Sequence, residues 1–399
     1  MMGNTVAGGG ILVETPEGLK ALVERLKKAD VIGVDTEFHS EKRYWPELFL
    51  IQVSDREGCM AIDPLALEDL SSLKEVFQAE KPVKIIHSSR NDIDVLAHHL
   101  DTDFNSVFDT QLAGAFTGAG EQSSLFNLVQ SVCGISTGKG HTLSDWSIRP
   151  LSDEQLRYAL DDVRYLHQIY DSQMSRLRSS GRLKWYEAEI GILIDSAACG
   201  APLRKIFRKA RSAGKVRKPG LPLLWNLVKW RERTAMQFDK PRNFILKDYT
   251  LSAAAAMQPR NLQSLERLRG VSSGFMERWG REILEIVRTT ATDPPKDVPR
   301  ILRSHSAPGA SARKQILRIF LLQESVRLGI APSLLLPKEV LDRIASDPPV
   351  TSEELHSLEG IAGWRTDALG EDLISLLKGD LALCLKRGRN SGLKFVRMR

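Results

Sequence analysis

Residues 31–36, Val-Ile-Gly-Val-Asp-Thr, form a short β-prone run that is apolar until its end, where Asp35 and then Glu37 appear. Such a run, bounded by charge, is a buried strand. Positions two apart on a strand face the same side, so both carboxylates project together from its end. Any fold that buries this strand must therefore accommodate two acids on one face of its core sheet.

The surrounding residues, 11–180, alternate strand-like and helix-like segments. VIGVDTE, FLIQVS, CMAID and VKIIH read as strands. ILVETPEGLKALVERLKKA reads as a strand edge and an amphipathic helix, with Thr15 as cap and Pro16 in the first turn. SLKEVFQ, NDIDVLAHHL, DTQLAGAF and SLFNLVQSVCG read as further helices. Ser152 followed by Gln155 is a capping-box pattern and predicts one long helix over 153–179. The alternation gives an α/β domain.

Three more side chains join the strand acids. Asp92, in HSSRND, opens a helix; Tyr158 and Asp162, four apart in LRYALDDV, share a helix face. Taken singly, each has an ordinary explanation: a loop cap, a helix-start charge or a core tyrosine. As an ordered set in one domain they are four carboxylates and a phenol, which suits hard divalent cations. Two such ions about 3.5–4 Å apart are a common device for in-line phosphodiester cleavage.

Charge divides the chain. Residues 1–200 carry 19 Lys+Arg against 30 Asp+Glu, a net of −11, and residues 201–399 carry 37 against 20, a net of +17. An acidic half with a candidate metal site joined to a basic half fits one part that cuts and another that holds a polyanion. The alternative, a basic solvated helical surface, stays open at this point. The four cysteines, Cys59, Cys133, Cys199 and Cys384, are far apart and form no C-x-x-C pair. Neither a zinc site nor a disulfide framework is indicated, and a reducing cytoplasm is the expected location. No apolar run reaches membrane-span length, and the first residues do not read as a secretion signal.

Arg204 to Lys218 holds eight Lys or Arg and no acid. Beyond it the sequence repeats. LQSLERLRGV at 262–271 resembles LHSLEGIAGW at 355–364, GREILEIV at 280–287 resembles GEDLISLL at 370–377, and NFILKDYTL at 243–251 resembles SLLLPKEVL at 333–341. The offset read this way is 90 to 93 residues. The expected division is a nuclease-like domain over 1–203, a basic connector over 204–218, helical modules over 219–290 and 312–386, a Pro/Ser/Ala linker over 291–311 and a basic tail over 387–399.

DTEF, HSSRND, FDTQLA, SDWSIRPL and YALDDVRYL, in this order and spacing, resemble the ribonuclease D family of the DEDD exonuclease superfamily, over about residues 11–200. The duplicated modules resemble HRDC domains, the helical nucleic-acid-binding modules of that family. The resemblance implies a ribonuclease H-like exonuclease domain with a mixed five-stranded sheet, followed by two all-α domains. It implies a 3′→5′ exoribonuclease, associated with trimming tRNA precursors, that uses two Mg²⁺ or Mn²⁺ ions. Asp35, Glu37, Asp92 and Asp162 stand at the metal-ligand positions. Tyr158, four before Asp162, places the chain in the tyrosine branch and would orient the attacking water; Arg157 occupies the position where the other branch has histidine. Asp94 and Asp161 stand beside the matched acids without matching them.

Phe38 is a candidate wedge against the terminal base, with a core position as the alternative. Lys139 and Arg149 are candidate RNA contacts. Trp146, Trp225, Trp230 and Trp279 are expected to pack, and His87 to make a polar bond rather than ligate metal. Two other readings remain open: a DNA exonuclease of the same chemistry, and a catalytically inactive nucleic-acid-binding scaffold.

Overall fold

Apolar runs that need cover on both faces become central strands, and β3 (Val31–His39) is one: Val31, Ile32 and Val34 are all buried. The computed structural model describes residues 2–120, 122–136, 145–198, 203–214, 216–299, 308–358, 360–361, 363–386 and 392–398. Around β3 are β1 (Asn4–Val6), β2 (Gly10–Val13), β4 (Glu47–Asp55), β5 (Gly58–Ile62), β6 (Val83–Ile86) and β7 (Val107–Asp109). Among the described residues they form a seven-stranded sheet in the order β1-β2-β5-β4-β3-β6-β7. β3 pairs antiparallel with β4 and parallel with β6, so the sheet is mixed as expected. It exceeds five strands because β1 and β7 extend its edges. Each is three residues long, too short to show a period in the sequence.

The nuclease helices are α1 (Pro16–Leu26), α2 (Lys74–Gln78), α3 (Arg90–Leu100), α4 (Thr110–Thr117), α5 (Leu125–Cys133), α6 (Asp153–Arg164), α7 (Leu166–Ser179) and α8 (Leu183–Ala198). The single helix expected over 153–179 is two, broken at Tyr165 (φ −103°, ψ 0°). The cause is a contact with the sheet. Ser54 Oγ donates to the Val163 carbonyl at 2.9 Å, and the Tyr165 N–H turns back onto the same carbonyl. The approach is possible because residue 33 has no side chain: a Cβ there would lie 2.4 Å from Ser54 Oγ and 3.2 Å from the Val163 carbonyl oxygen.

A basic helix, α9 (Leu203–Gly214), leads into α10 (Leu221–Gln237), α11 (Arg242–Ile245), α12 (Asp248–Met257), α13 (Leu262–Glu266) and α14 (Ser273–Thr292). The pattern recurs in α15 (Ala310–Leu328), α16 (Pro332–Leu335), α17 (Lys338–Ser346), α18 (Ser352–His356) and α19 (Gly363–Lys378). From α11 to α14 each helix begins 90 residues before its counterpart in α16 to α19. The 93-residue match of LQSLERLRGV to LHSLEGIAGW is thus three residues out of register. Buried Leu265 corresponds to buried Leu355, and Gly270 (φ +89°) to Gly360 (φ +92°). A shared SLE triplet misleads the sequence comparison, whereas burial and the left-handed glycine set the true alignment. A hairpin of β8 (Leu381–Lys386) and β9 (Gly392–Arg397) closes the chain, so part of the stretch expected as a basic tail is strand. Phe395 of this hairpin meets the Phe320 ring at 5.7 Å.

Trp225 and Trp230 are buried in the first module's own core, and Trp279 packs against it. Among the described residues the second module has no separate core; its Leu317, Phe320, Ile344 and Leu373 are continuous with the nuclease core. At that junction Arg365 makes a bidentate pair with Glu189 (2.6 and 2.8 Å), Trp364 Nε1 donates to Glu189 at 2.9 Å, and the Trp364 ring stacks on Trp185. Among the described residues no helix is long and apolar enough to cross a membrane.

Removing one partner of a buried pair strands the other charge, which costs about 3–5 kcal/mol. Arg365→Ala is therefore expected to lower unfolding free energy by about 3 kcal/mol in denaturant titration. Arg288→Ala, which breaks an exposed pair with Glu285, is expected to leave it unchanged within the error of the same titration.

Candidate metal centre

The alternation of β3 delivers Asp35 and Glu37 from one face, and a register slip against β4 falls between Glu37 and Phe38. Such a bulge ends regular pairing and re-aims the residues after it. Phe38, just beyond, is half-buried and rests against the nuclease core. Above the strands lies α6, whose start is fixed by the expected capping box. Ser152 Oγ accepts the Gln155 N–H at 3.2 Å and Gln155 Oε1 accepts the Ser152 N–H at 3.0 Å. Counting from that start, Tyr158 and Asp162 fall one turn apart. Trp146 is buried with its ring 6.2 Å from that of Tyr158.

These elements converge. Carboxylate oxygens of Asp35, Glu37 and Asp162 lie within 4.8 Å of one another. Asp92 reaches the group through Thr36, whose hydroxyl donates to Asp92 Oδ1 at 2.6 Å. The Tyr158 hydroxyl donates to Asp162. Four acids and a phenol separated by more than a hundred residues thus occupy one place.

Two residues that build this place were not singled out from the sequence. Thr36 sits between the strand acids and ties Asp92 to β3. Asp109 caps α4, accepting the Gln111 and Leu112 N–H groups at 2.8 and 3.0 Å. It also accepts the Ser88 N–H, the Ser89 N–H and the Ser89 hydroxyl at 3.3, 2.8 and 2.8 Å. Ser88 is left-handed (φ 60°), and that turn launches α3 and Asp92. The capping role is legible in FDTQLA; the hold on Ser88 exists only once β6 and β7 pair.

Electrostatics at the centre are unfavourable. Burial, then the charges of Asp92, Asp162 and Glu37, hold Asp35 well above the usual carboxylate range. Burial, then Asp162 and Asp92, lift Glu37 to about 8. Asp92 is raised to about 7 by burial, against the opposing pull of the Thr36 hydroxyl. Asp162 is raised to about 7 by burial, against the opposing pull of Tyr158. Burial, then Asp162, Glu37 and Asp35, push the Tyr158 phenol upward, so it holds its proton at neutral pH. A desolvated all-oxygen set that repels itself fits a hard divalent cation, which both neutralises and coordinates it.

Asp161 turns aside to Arg164 at 2.7 Å. Asp94 lines a separate cleft of about 1220 Å³ between the nuclease and the first helical module. His87 Nδ1 bonds Thr110 Oγ1 at 2.9 Å, as a polar partner rather than a ligand. Arg149, expected at RNA, is committed elsewhere. Its Nε and Nη2 donate to Asp63 at 2.6 and 2.9 Å, Nη2 also to the Phe49 carbonyl, and Nη1 to the Trp146 and Ile148 carbonyls. These five bonds use the whole guanidinium fork to pin the segment before α6 onto the sheet. Lys139 lies outside the described residues.

Comparison with known proteins places the chain in a family. A family described as 3′–5′ exonuclease matches residues 11–178, and the HRDC domain family matches residues 221–287 and 312–377. Ribonuclease D of Gluconacetobacter diazotrophicus is 34% identical over 379 residues, covering 94% of each chain. Ribonuclease D of Acidiphilium cryptum is 34% identical over 382 residues, covering 95% of each. The crystal structure of Escherichia coli RNase D, described as an exoribonuclease involved in structured RNA processing, superposes with a TM-score of 0.79 at 26% identity, covering 92% of this chain and 98% of that one. With an exonuclease family and two HRDC matches covering most of its length, and relatives 34% identical over nearly all of it, the chain belongs to the ribonuclease D family of hydrolytic 3′→5′ exoribonucleases.

Proposed function

We propose that the chain trims structured RNA at its 3′ end, tRNA precursors among its substrates, with two Mg²⁺ or Mn²⁺ ions held by Asp35, Glu37, Asp92 and Asp162. The observation that carries this reading is the gathering of Asp35, Glu37 and Asp162 oxygens within 4.8 Å in a buried setting. Divalent cations bound there would lower the pKa of an attacking water and neutralise charge at the scissile phosphate. Asp35, Glu37 and Asp162 would hold one ion, Asp35 would also contribute to holding the second, and Asp92 would act through water. Tyr158 keeps its proton and orients the attacking water by a hydrogen bond rather than abstracting a proton. Phe38, which directly follows Glu37, would be the wedge against the terminal base.

In this reading residues 1–203 cut, and two modules over 219–290 and 312–386, joined through the basic connector 204–218 and the linker 291–311, hold the RNA backbone. The cation excess of the connector, with eight Lys or Arg and no acid, and of the first module, with 12 Lys+Arg against 7 Asp+Glu, would make binding fall steeply with salt. A cytoplasmic location fits the reading.

Incubation with a 3′-tailed tRNA and with matched RNA and DNA oligonucleotides tests it. Stepwise shortening of RNA from the 3′ end, stopped by chelator, is the expected result; internal cuts or chelator-insensitive decay would overturn it. Asp35→Asn and Asp162→Asn are each expected to lower single-turnover cleavage by about 10³-fold or more. Tyr158→Phe is expected to lower kcat by about 10²-fold, with KM and Mn²⁺ affinity nearly unchanged. Equal losses in Mn²⁺ affinity would instead make the phenol part of the ion site.

The raised carboxyls also set a pH dependence. Between an unfolded value near 4 and the folded values of about 7 and 8, the folded chain holds protons that the unfolded chain has released. Stability of the ion-free protein should therefore fall as pH rises from about 5 to 8. Mn²⁺ should abolish that fall, and its binding near pH 7 should release protons, measurable by calorimetry in buffers of different ionisation enthalpy.

A further inference from the structure

Gln52 on β4 is completely buried, and neither its Nε2 nor its Oε1 has a hydrogen-bond partner among the described residues. Buried polar atoms in native proteins are overwhelmingly paired, so this amide calls for a reason. Its position supplies one. Gln52 is the direct register partner of Asp35 across the antiparallel β3–β4 ladder. Residues so opposed point to the same face, with Cβ atoms about 4.5–5.5 Å apart. Along that face the pairs run Gly33–Ser54, Asp35–Gln52 and Glu37–Leu50. The Ser54 hydroxyl is taken by the Val163 carbonyl and by His167 at 3.2 Å, and Leu50 is apolar. Of this row, the side chain with an uncommitted donor beside Asp35 is Gln52.

The chemistry of Asp35 explains why an amide suits the place. An ionised carboxylate only accepts hydrogen bonds, at up to about four sites. The groups crowding Asp35 are Asp92, Asp162 and Glu37, which once ionised accept and do not donate; the backbone N–H of Thr36 is one donor it has. A carboxamide adds an N–H without adding charge. Lysine or arginine at position 52 would stand in for a cation and compete with it, glutamate would add repulsion, and leucine would offer nothing.

We propose that Gln52 is a positioning residue for Asp35: its carboxamide N–H donates to the ionised Asp35 carboxylate and fixes the rotamer in which Asp35 binds a divalent cation. The inference rests on the reading of the acid cluster as a metal centre. Metal-ligating carboxylates are commonly oriented by such outer hydrogen bonds, whose loss costs about 10–100-fold in affinity or activity.

The test uses the full chain with Mn²⁺ alone, free Mn²⁺ being counted by electron paramagnetic resonance and Tm read with and without the ion. Gln52→Leu is expected to keep or raise Tm without ion, since an unpaired buried amide gives way to an apolar side chain. Its Mn²⁺ affinity is expected to fall about tenfold or more, with a smaller Mn²⁺-induced rise in Tm. Mn²⁺ affinity within about twofold of the parent's would overturn the proposal, whichever way the ion-free Tm moves. Should Gln52→Leu not fold, Gln52→Met, equal in length and more adaptable, is judged by the same affinity criterion. The parent and Asp35→Asn serve as controls. If the parent binds no Mn²⁺, or binding survives Asp35→Asn, the metal-centre reading falls and the proposal with it; normal parent binding that Gln52→Leu leaves intact overturns the role of Gln52 alone.

Discussion

Like charges crowded at the end of one buried strand are what the rest of this molecule has to support. Asp35, Glu37, Asp92 and Asp162 sit in surroundings stripped of most water, and each is raised above its ordinary range by that burial before its neighbours add their repulsion. Left alone, such a group would neutralise itself or spring apart. The framework prevents the second outcome at each approach. The β3–β4 ladder fixes two acids, the capping box and the Arg149 clamp fix the entry to α6, and Asp109 with Thr36 fixes Asp92. The cost of gathering the acids is the same property that would give them affinity for a cation, so at such a site stability and function pull against each other.

The two helical modules share a helix plan but not a mode of attachment. In the second, Trp364 and Arg365 dock on Trp185 and Glu189 and merge its core with the nuclease. Ninety residues earlier the corresponding positions are Gly274 and Phe275, and Phe275 is buried in the first module's own core. The first module meets the nuclease at the loop after β3, where Tyr44 packs against that module's core and polar contacts surround it. Asp239 accepts the Tyr44 and Trp45 N–H groups, each at 3.1 Å, and the Arg43 guanidinium at 3.0 Å; the Tyr44 hydroxyl donates to Glu232. That loop follows β3 directly, so the first module grips the chain a few residues past the strand that carries Asp35 and Glu37. The two copies of one helix plan thus sit differently, and these two positions are among those that differ between them.

Much of this was readable in one sequence because the signals are local. The apolar run of 31–34, the two-residue spacing of Asp35 and Glu37, the four-residue spacing of Tyr158 and Asp162, and the Ser152–Gln155 box each reflect a period or a cap that the backbone alone enforces. Features that were misread or missed depend on partners distant in sequence. The break at Tyr165 answers to Ser54 and Gly33. Arg149 looked free because its acceptors, Asp63 and the Phe49 carbonyl, lie some ninety to a hundred residues before it. The short strands β1 and β7 exist because a neighbouring strand offers them hydrogen bonds, not because their residues demand it.

By itself, then, the amino-acid order determined most element types and the pairing of acids on a strand face and of phenol and acid on a helix face, since these follow from backbone geometry within one or two turns; it also revealed the helical duplication, through residues repeated about ninety positions on. The folded chain decided that the four carboxylates meet, that burial rather than exposure governs their protonation, that Gln52 faces Asp35, and which module joins the nuclease core. Those outcomes depend on sheet register and on packing between segments more than a hundred residues apart, and no local period encodes them.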